Sequence, residues 1–156
     1  MFSSITKLAY EFRTCGSLEE INLDNITTWS RGDMTFDHFG SNRIKYIYLP
    51  NWIDLVGTRD IFFNTIQGGI RFGKNCVSVA QMIRSRQPAQ YFIIESGMVV
   101  NRSTLYVNAS YFFVPDNLVN SYKISDLWSS VASSIHPISE FPVIFPDEPA
   151  RMYEPW

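Results

Sequence analysis

Side chains that could carry acid–base or nucleophilic chemistry are scattered through the sequence rather than grouped at catalytic spacings. A thiol nucleophile needs a nearby base, and the only thiol-based combination would unite Cys76 with His38 and an acid. The carboxylates show no spacing that defines an acid–base pair: Glu19, Glu20, Asp24, Asp54, Asp60 and Glu95. We therefore predict that the chain is not an enzyme, and an enzyme without a recognisable motif ranks third among the interpretations.

Neither a metal nor a cofactor is predicted. Cys15 and Cys76 lack the Cys-x-x-Cys spacing of zinc or redox sites, and His38 and His136 are too far apart to form a local ligand pair. The glycine-rich stretch 68–73 lacks both the Gly-Lys-Ser/Thr ending of a phosphate loop and the spacing of a dinucleotide-binding turn. This stretch is interpreted as a turn.

A receptor-binding candidate is Arg31-Gly32-Asp33, which resembles the integrin-recognition tripeptide of adhesion proteins and of some viral surface loops. The resemblance implies a loop in which the arginine reaches an acidic pocket and the aspartate joins a metal ion held by the receptor. Such a tripeptide must be exposed on a turn, which Gly32 and its polar neighbours permit. The alternative is a chance tripeptide that leads into a strand at 34–36.

Charge is distributed unevenly. The segment 69–102 carries five basic residues against one acid, whereas 103–156 carries two against six. These five basic residues are candidates either for a phosphate-facing patch or for pairing with acidic segments: Arg71, Lys74, Arg84, Arg86 and Arg102. The net charge of -2 and the absence of a dense basic arm predict weak nucleic-acid binding or none.

The composition indicates one domain with an unusually apolar surface. The chain has 156 residues, of which 46% are hydrophobic, 15% aromatic and only 18% charged. Soluble domains usually contain about 25% charged residues, so a surface covered by other protein is expected. No window approaches the length of a membrane span, and Lys7 and Glu11 interrupt the apolar stretch that a signal peptide would need. Neither membrane insertion nor classical secretion is predicted.

The chain contains several short strand signals and little helix. Dense β-branched and aromatic residues, bounded by Gly, Asn and Pro, indicate strands at 44–49, 60–66, 77–83, 91–95 and 104–114. In the last segment, aromatic side chains occupy both faces. Short helices are predicted at 125–133, with Ser125 as N-cap, and at 4–12. No internal repeat is apparent, and the predicted fold is all-β, an antiparallel β-sandwich of jelly-roll type, with a β-barrel or an α+β domain as alternatives.

Two regions are predicted: one β-sandwich domain at 1–136 and an extended, proline-rich, apolar C-terminal arm at 137–156. Five of the eight prolines fall in this arm, where each removes a backbone donor. The arm is too apolar for a solvated linker, so we expect it to pack on its own domain or on a neighbouring subunit. The candidate assembly residues are Phe141, Phe145, Tyr153 and Trp156.

These features predict a structural protein, specifically a small viral capsid subunit that packs with copies of itself or with other shell proteins in the virion. The Arg31–Asp33 loop would then bind a cell-surface receptor. The alternative function is a ligand-binding β-sandwich such as a carbohydrate-binding module, which would keep several Trp or Tyr rings exposed for stacking on sugars.

Overall fold

Short strands follow one another across a single sheet in their order along the chain, and every neighbouring pair is parallel. The computed structural model describes residues 19–25, 27, 44–53, 66–79, 89–102 and 109–156. The six strands within these residues are β1 (Glu20–Asn22), β2 (Tyr46–Leu49), β3 (Gly69–Phe72), β4 (Ala89–Ile94), β5 (Ala109–Val114) and β6 (Ile135–Pro137). The predicted antiparallel β-sandwich is therefore wrong, and the fold is of the α/β type.

The connections between strands explain the parallel arrangement. Antiparallel neighbours can be joined by hairpins of a few residues, whereas parallel neighbours need crossovers of about a dozen residues or more. The segment 50–68 separates β2 from β3, and 95–108 separates β4 from β5, so both are long enough for a crossover. Parallel sheets are covered on both faces, which accounts for the aromatic residues on both sides of the strands. The jelly-roll assignment is wrong, and the viral-capsid interpretation that depended on it is withdrawn.

The predicted helix at 125–133 is also misplaced. Between β5 and β6 the chain forms a 3₁₀ turn at Asp116–Leu118, helix α1 at Val119–Ile124 and 3₁₀ turns at Ser129–Ser134. Ser125 is the C-cap of α1 rather than an N-cap, and its backbone N–H donates to the Tyr122 carbonyl at 3.2 Å. The helix predicted at 4–12 lies outside the described residues, and so does the strand predicted at 60–66 except for Ile66, which is not part of a strand.

One face of the sheet, called here the connector face, packs against the segments that join the strands. Its central row consists of register partners that recur about every 20–26 residues: Ile21, Ile47, Ile70, Phe92, Phe112 and Ile135. Buried connector residues complete this core, and the two indoles among them bond to backbone carbonyls. The indole N–H of Trp52 donates to the Ser78 carbonyl at 3.1 Å, and that of Trp128 to the Val100 carbonyl at 2.8 Å. Each strand contacts mainly its neighbours, as in solenoid proteins.

The opposite face is covered by residues 138–156, which are called the arm from here on. A second apolar cluster joins this face to Phe141 and Met152 of the arm. The arm is not extended as predicted, because it forms a 3₁₀ turn at Ile138–Glu140, helix α2 at Phe141–Ile144 and another 3₁₀ turn at Ala150–Met152. Two of its prolines sit at helix starts, where a missing N–H is tolerated: Pro142 lies in the first turn of α2, and Pro149 is the N-cap of the last 3₁₀ turn.

Candidate functional site

The sheet face beneath the arm, called the arm face, presents two rows of side chains that alternate with the connector-face residues. The strand register aligns the first row as Glu20, Tyr46, Gly69, Tyr91 and Tyr111. The second row is Asn22, Tyr48, Arg71, Ile93, Phe113 and His136. Both rows mix aromatic rings with polar and charged groups, in contrast with the apolar rows of the connector face.

Gly69 makes room for the ring of Tyr91 on the neighbouring strand. A Cβ atom at position 69 would overlap this ring, so the glycine allows Tyr91 to lie across β3. The Tyr91 hydroxyl then donates to the Glu148 carboxylate of the arm at 2.9 Å. Burial, reinforced by this carboxylate, raises the pKa of Tyr91, and the same causes raise the pKa of Tyr46 to about 12. Tyr46 and Tyr91 therefore stay neutral, and Tyr91 acts as a hydrogen-bond donor to the arm.

Aromatic contacts hold the middle of the arm. The ring centroid of Phe141 lies 4.8 Å from that of Tyr91 and 5.1 Å from that of Phe113, in edge-to-face geometry. Phe145 also packs on Tyr91, with a centroid distance of 4.8 Å, and Tyr153 contacts Phe141. Three of the predicted assembly residues thus pack against their own domain.

Arg71 binds the last part of the arm through several contacts. This side chain is 1% exposed, and its Nη2 pairs with Glu95 Oε1 at 2.5 Å. Its Nη1 donates to the main-chain carbonyls of Arg151 at 2.5 Å and of Glu154 at 2.7 Å. The guanidinium carbon lies 4.0 Å from the ring centroid of Trp156. A single buried cation therefore joins β3, β4 and the arm.

Trp156, the fourth assembly candidate, is held on three sides while half of it remains exposed. Its indole N–H donates to Glu95 Oε2 at 2.6 Å, so the carboxylate bridges the guanidinium and the indole. The Tyr48 ring stands edge-on to the indole at a centroid distance of 6.4 Å. Trp156 is 49% exposed, and this contact lies at the boundary with solvent.

Arg151 adds a second cationic contact next to the first. Its guanidinium lies over the Tyr48 ring at 4.5 Å and 3.8 Å from the Asp24 carboxylate, where both charged side chains are partly exposed. Tyr48 thus contacts the arm twice, and burial is the main cause that raises the pKa of this residue. Cation–π contacts and hydrogen bonds dominate this end of the arm, whereas apolar packing dominates its middle.

The remaining basic candidates occupy different environments. Lys74 is exposed, whereas Arg102 is 8% exposed and lies 5.2 Å from the Trp128 ring and 6.0 Å from the Phe112 ring. Arg102 Nε and Nη1 are buried without a hydrogen-bond partner, and burial lowers the pKa of this guanidinium. The structure therefore brings no two of these three residues into one surface patch. The predicted Arg84, Arg86 and the tripeptide 31–33 lie outside the described residues.

Within the described part of the chain, the residues considered for catalysis are not brought together. Cys76 is buried, with its Sγ 3.6 Å from the Ser78 carbonyl, and His136 lies 3.2 Å from the Glu140 carboxylate at the surface. His38 and Cys15 lie outside the described residues. Across the described ranges, no three His, Cys, Asp or Glu side chains form a group that could hold a metal ion.

An open cavity of 210 Å³ lies at one edge of the arm face. Its polar lining consists of Lys45, Tyr46, Gln67, Gly68, Gln90 and Glu148. Both Tyr46 and Glu148 also take part in the contact between sheet and arm, so the cavity adjoins that contact.

No helix in the described part of the chain has the length and apolar character needed to cross a bilayer.

The chain matches no protein-family model, no curated protein and no solved structure. Geometry is therefore the basis for assigning a function. Sequence reasoning named Arg71 and Trp156 as separate candidates but missed Glu95 and Tyr48 as their partners, and it missed the bond between Tyr91 and Glu148. The signal that could have found Tyr48 is the alternation in β2 and β3, where every second residue is tyrosine, arginine or glycine while the residues between them are purely apolar.

Proposed function

We propose that the chain is a non-catalytic assembly module whose arm face accepts an arm from a second copy of the chain. The observation that carries this proposal is topological. Residues 138–156 cover an aromatic face of the sheet, yet they lie beyond β6 and connect no two of the described strands. The arm can therefore leave the face without breaking a strand connection, which is the requirement for exchange of an identical element between protomers.

The architecture supports this proposal by analogy. Solenoid proteins with repeats of this length, leucine-rich repeats among them, stack strands into an extended sheet surface that binds other proteins. Here the equivalent surface offers Tyr46, Tyr48, Tyr91 and Arg71, residue types that are enriched in protein interfaces. The two ends of the arm differ in burial, since Phe141 is fully buried and Trp156 is half exposed, so the Trp156 end can separate first.

The glycan-binding alternative has less support among the described residues. Trp52 and Trp128 are fully buried and bonded through their indole N–H groups to backbone carbonyls, so neither offers a ring to a sugar. Trp156 is the most exposed indole in the described ranges, and Arg71 already lies against its ring.

A complementation experiment with two full-length variants tests the assembly proposal. The variant Arg71→Met keeps its arm but impairs its face, whereas the double variant Phe141→Ala, Met152→Ala keeps its face but impairs its arm. Neither can make a good contact alone, but a mixture allows the intact arm of one chain to occupy the intact face of the other. We expect the mixture, and neither variant alone, to show a concentration-dependent species at about twice the 18.0 kDa chain mass by light scattering.

The control replaces Arg71→Met by Val143→Ala, a change on the outer side of α2 where the side chain is 79% exposed. This variant keeps both its arm and its face, so its own arm competes with exchange, and its mixture with the double variant should form less of the heavier species. A mixture of the two impaired variants that shows only the 18.0 kDa mass at every concentration, with both chains folded by circular dichroism, would overturn the proposal.

A further inference from the structure

The contacts around Trp156 constitute a site with a defined ligand chemistry. A planar guanidinium lies against the face of the ring, a carboxylate accepts the indole N–H, and a phenol ring closes one side. These three groups come from three different strands or their ends: Tyr48 from β2, Arg71 from β3 and Glu95 from the residue after β4. We infer that Tyr48, Arg71 and Glu95 form an indole-recognition site that selects a tryptophan-bearing protein segment, of which the arm of a second copy is the one this chain supplies.

The site is preorganised by the sheet. Arg71 is 1% exposed, and parallel pairing fixes it between Tyr48 and Ile93 in the second row. Glu95 holds the guanidinium through Oε1 and leaves Oε2 for the indole, so one carboxylate serves both partners. A guanidinium that is already oriented loses little further side-chain freedom on binding a ring, which favours affinity.

The chemistry separates tryptophan from the other aromatic residues. Phenylalanine could stack on the guanidinium but has no donor for Glu95 Oε2, so a charge-assisted hydrogen bond would be lost. Tyrosine carries its donor at the end of the ring rather than at the side, so its hydroxyl would not meet the carboxylate in the same pose. The site therefore distinguishes an indole from a merely aromatic side chain.

The segment that carries the indole makes further contacts with the sheet. The carbonyls of Arg151 and Glu154 accept from Arg71 Nη1, and the Arg151 guanidinium lies over Tyr48 beside Asp24. The recognised pattern is thus an arginine five positions before a tryptophan, in a segment whose turn directs two carbonyls toward the sheet. This inference rests on the proposed function, because it identifies the side chain that the arm face recognises when it accepts a segment from another chain.

The test uses a full-length host in which Phe141→Ala and Trp156→Ala weaken the host's own arm and leave the face unchanged. The probe is a labelled, C-terminally amidated peptide of residues 138–156, followed by fluorescence anisotropy. Two further peptides carry Trp156→Phe or Trp156→Ala. We expect the Trp peptide to bind at least about tenfold more tightly than the Ala peptide, with the Phe peptide between them, and the wild-type chain to bind weakly because its own arm competes at a high effective concentration.

The outcomes separate this inference from the proposed function. Equal binding of the three peptides would overturn indole recognition and leave the arm face as an acceptor of segments. Failure of every peptide to bind a folded host would overturn both. Introducing Arg71→Met into the host should abolish the preference for the Trp peptide over the Ala peptide. If the preference persists, the indole binds outside the site formed by Tyr48, Arg71 and Glu95, and the inference is wrong.

A second measurement does not need the host variant, and it therefore tests the site even if that variant does not fold. Hydrogen exchange of the Trp156 indole N–H, followed by NMR, should be slowed by the bond to Glu95 although half of the ring is exposed. Glu95→Gln weakens the acceptor and should accelerate this exchange several-fold, while the Trp52 and Trp128 indoles should not change. Trp156 exchange at the rate of a free indole in the wild-type chain would overturn the site.

Discussion

The two faces of the sheet are closed in different ways. The connector face is covered by the segments that join successive strands, and its rows are apolar: Ile47, Ile70 and Phe92 are typical members. The arm face is covered by one segment that joins no two described strands, and its rows contain Tyr48 and Arg71. The comparison shows that the segments covering the connector face are part of the fold, whereas the arm covers its face as a bound ligand would, although it belongs to the same chain.

The largest expected difference comes from removing a buried ring on each face. Phe92 packs between Phe72 and Phe112, and Phe92→Ala should lower the free energy of unfolding by about 3–5 kcal/mol. Phe141 is equally buried, but Phe141→Ala can cost no more than the docking free energy of the arm, because beyond that limit the arm detaches. Urea denaturation of the two variants measures both values, and a loss at Phe141 equal to or above that at Phe92 would contradict the distinction between the faces.

The two buried arginines sharpen the comparison. Arg71 is paired with Glu95 and bonded to the arm, so Arg71→Met should cost about 2–3 kcal/mol. Arg102 packs between apolar rings with Nε and Nη1 unpartnered, so Arg102→Met should stay within about 1 kcal/mol of wild type or exceed it. Denaturation midpoints of the two variants at equal pH provide the test. Similar losses of stability in both variants would mean that the bonds of Arg71 to Glu95 and to the arm do not stabilise the fold.

Substitutions at two glycines should differ by a smaller amount in their effect on stability. A methyl group at Gly69 would overlap the Tyr91 ring on the arm face, so Gly69→Ala should destabilise by about 1–3 kcal/mol through overpacking. Gly97 has no atom within 4 Å of the position of an added Cβ, so Gly97→Ala serves as the matched control with little expected effect. Thermal unfolding of both variants decides the point, and an unchanged midpoint for Gly69→Ala would show that Tyr91 does not need this space.

Among these changes, removal of the Tyr46 hydroxyl at alkaline pH should produce the smallest effect, and it reports on the arm face. Tyrosine in the unfolded chain titrates near pH 10, whereas the folded-state pKa of Tyr46 is raised to about 12. The native state then holds its proton longer, so this contribution is complete below about pH 10 and is lost as the pH rises toward about 12. Tyr46→Phe should therefore show a shallower decline of stability across this window than wild type. Parallel declines would contradict the assignment.

Part of the fold could be predicted from residue types alone. The strands β2 and β5 lie within predicted segments and β4 overlaps another, because β-branched and aromatic residues there favour extended structure. Strand direction could not be predicted in the same way, because it depends on whether the connections are hairpins or crossovers. The informative signal was long-range: an apolar pair two positions apart, such as Ile47 and Leu49, that returns as Ile70 and Phe72, as Phe92 and Ile94, and as Phe112 and Val114.

The candidate site could likewise be predicted only in part from the sequence. The apolar arm with Phe141 and Trp156 was predicted to pack on protein, since its composition does not suit a solvated segment. The role of Arg71 was left open between phosphate binding and charge pairing, and its partner Glu95 is 24 positions away in sequence. Only the parallel pairing of β3 with β4 brings these two side chains together, so the site could not be assembled before the topology was known.

Native-state hydrogen exchange of the full-length chain tests the central claim most directly. Reporters on the arm are the amides of Phe145 and Met152, which donate to the carbonyls of Phe141 and Pro149, and the β3–β4 ladder reports on the sheet. The account predicts that the arm amides open with a clearly smaller free energy than the ladder amides, because the arm leaves while the strands stay paired. A single opening free energy shared by both sets would contradict it, since the arm would then be as integral to the fold as the connector face.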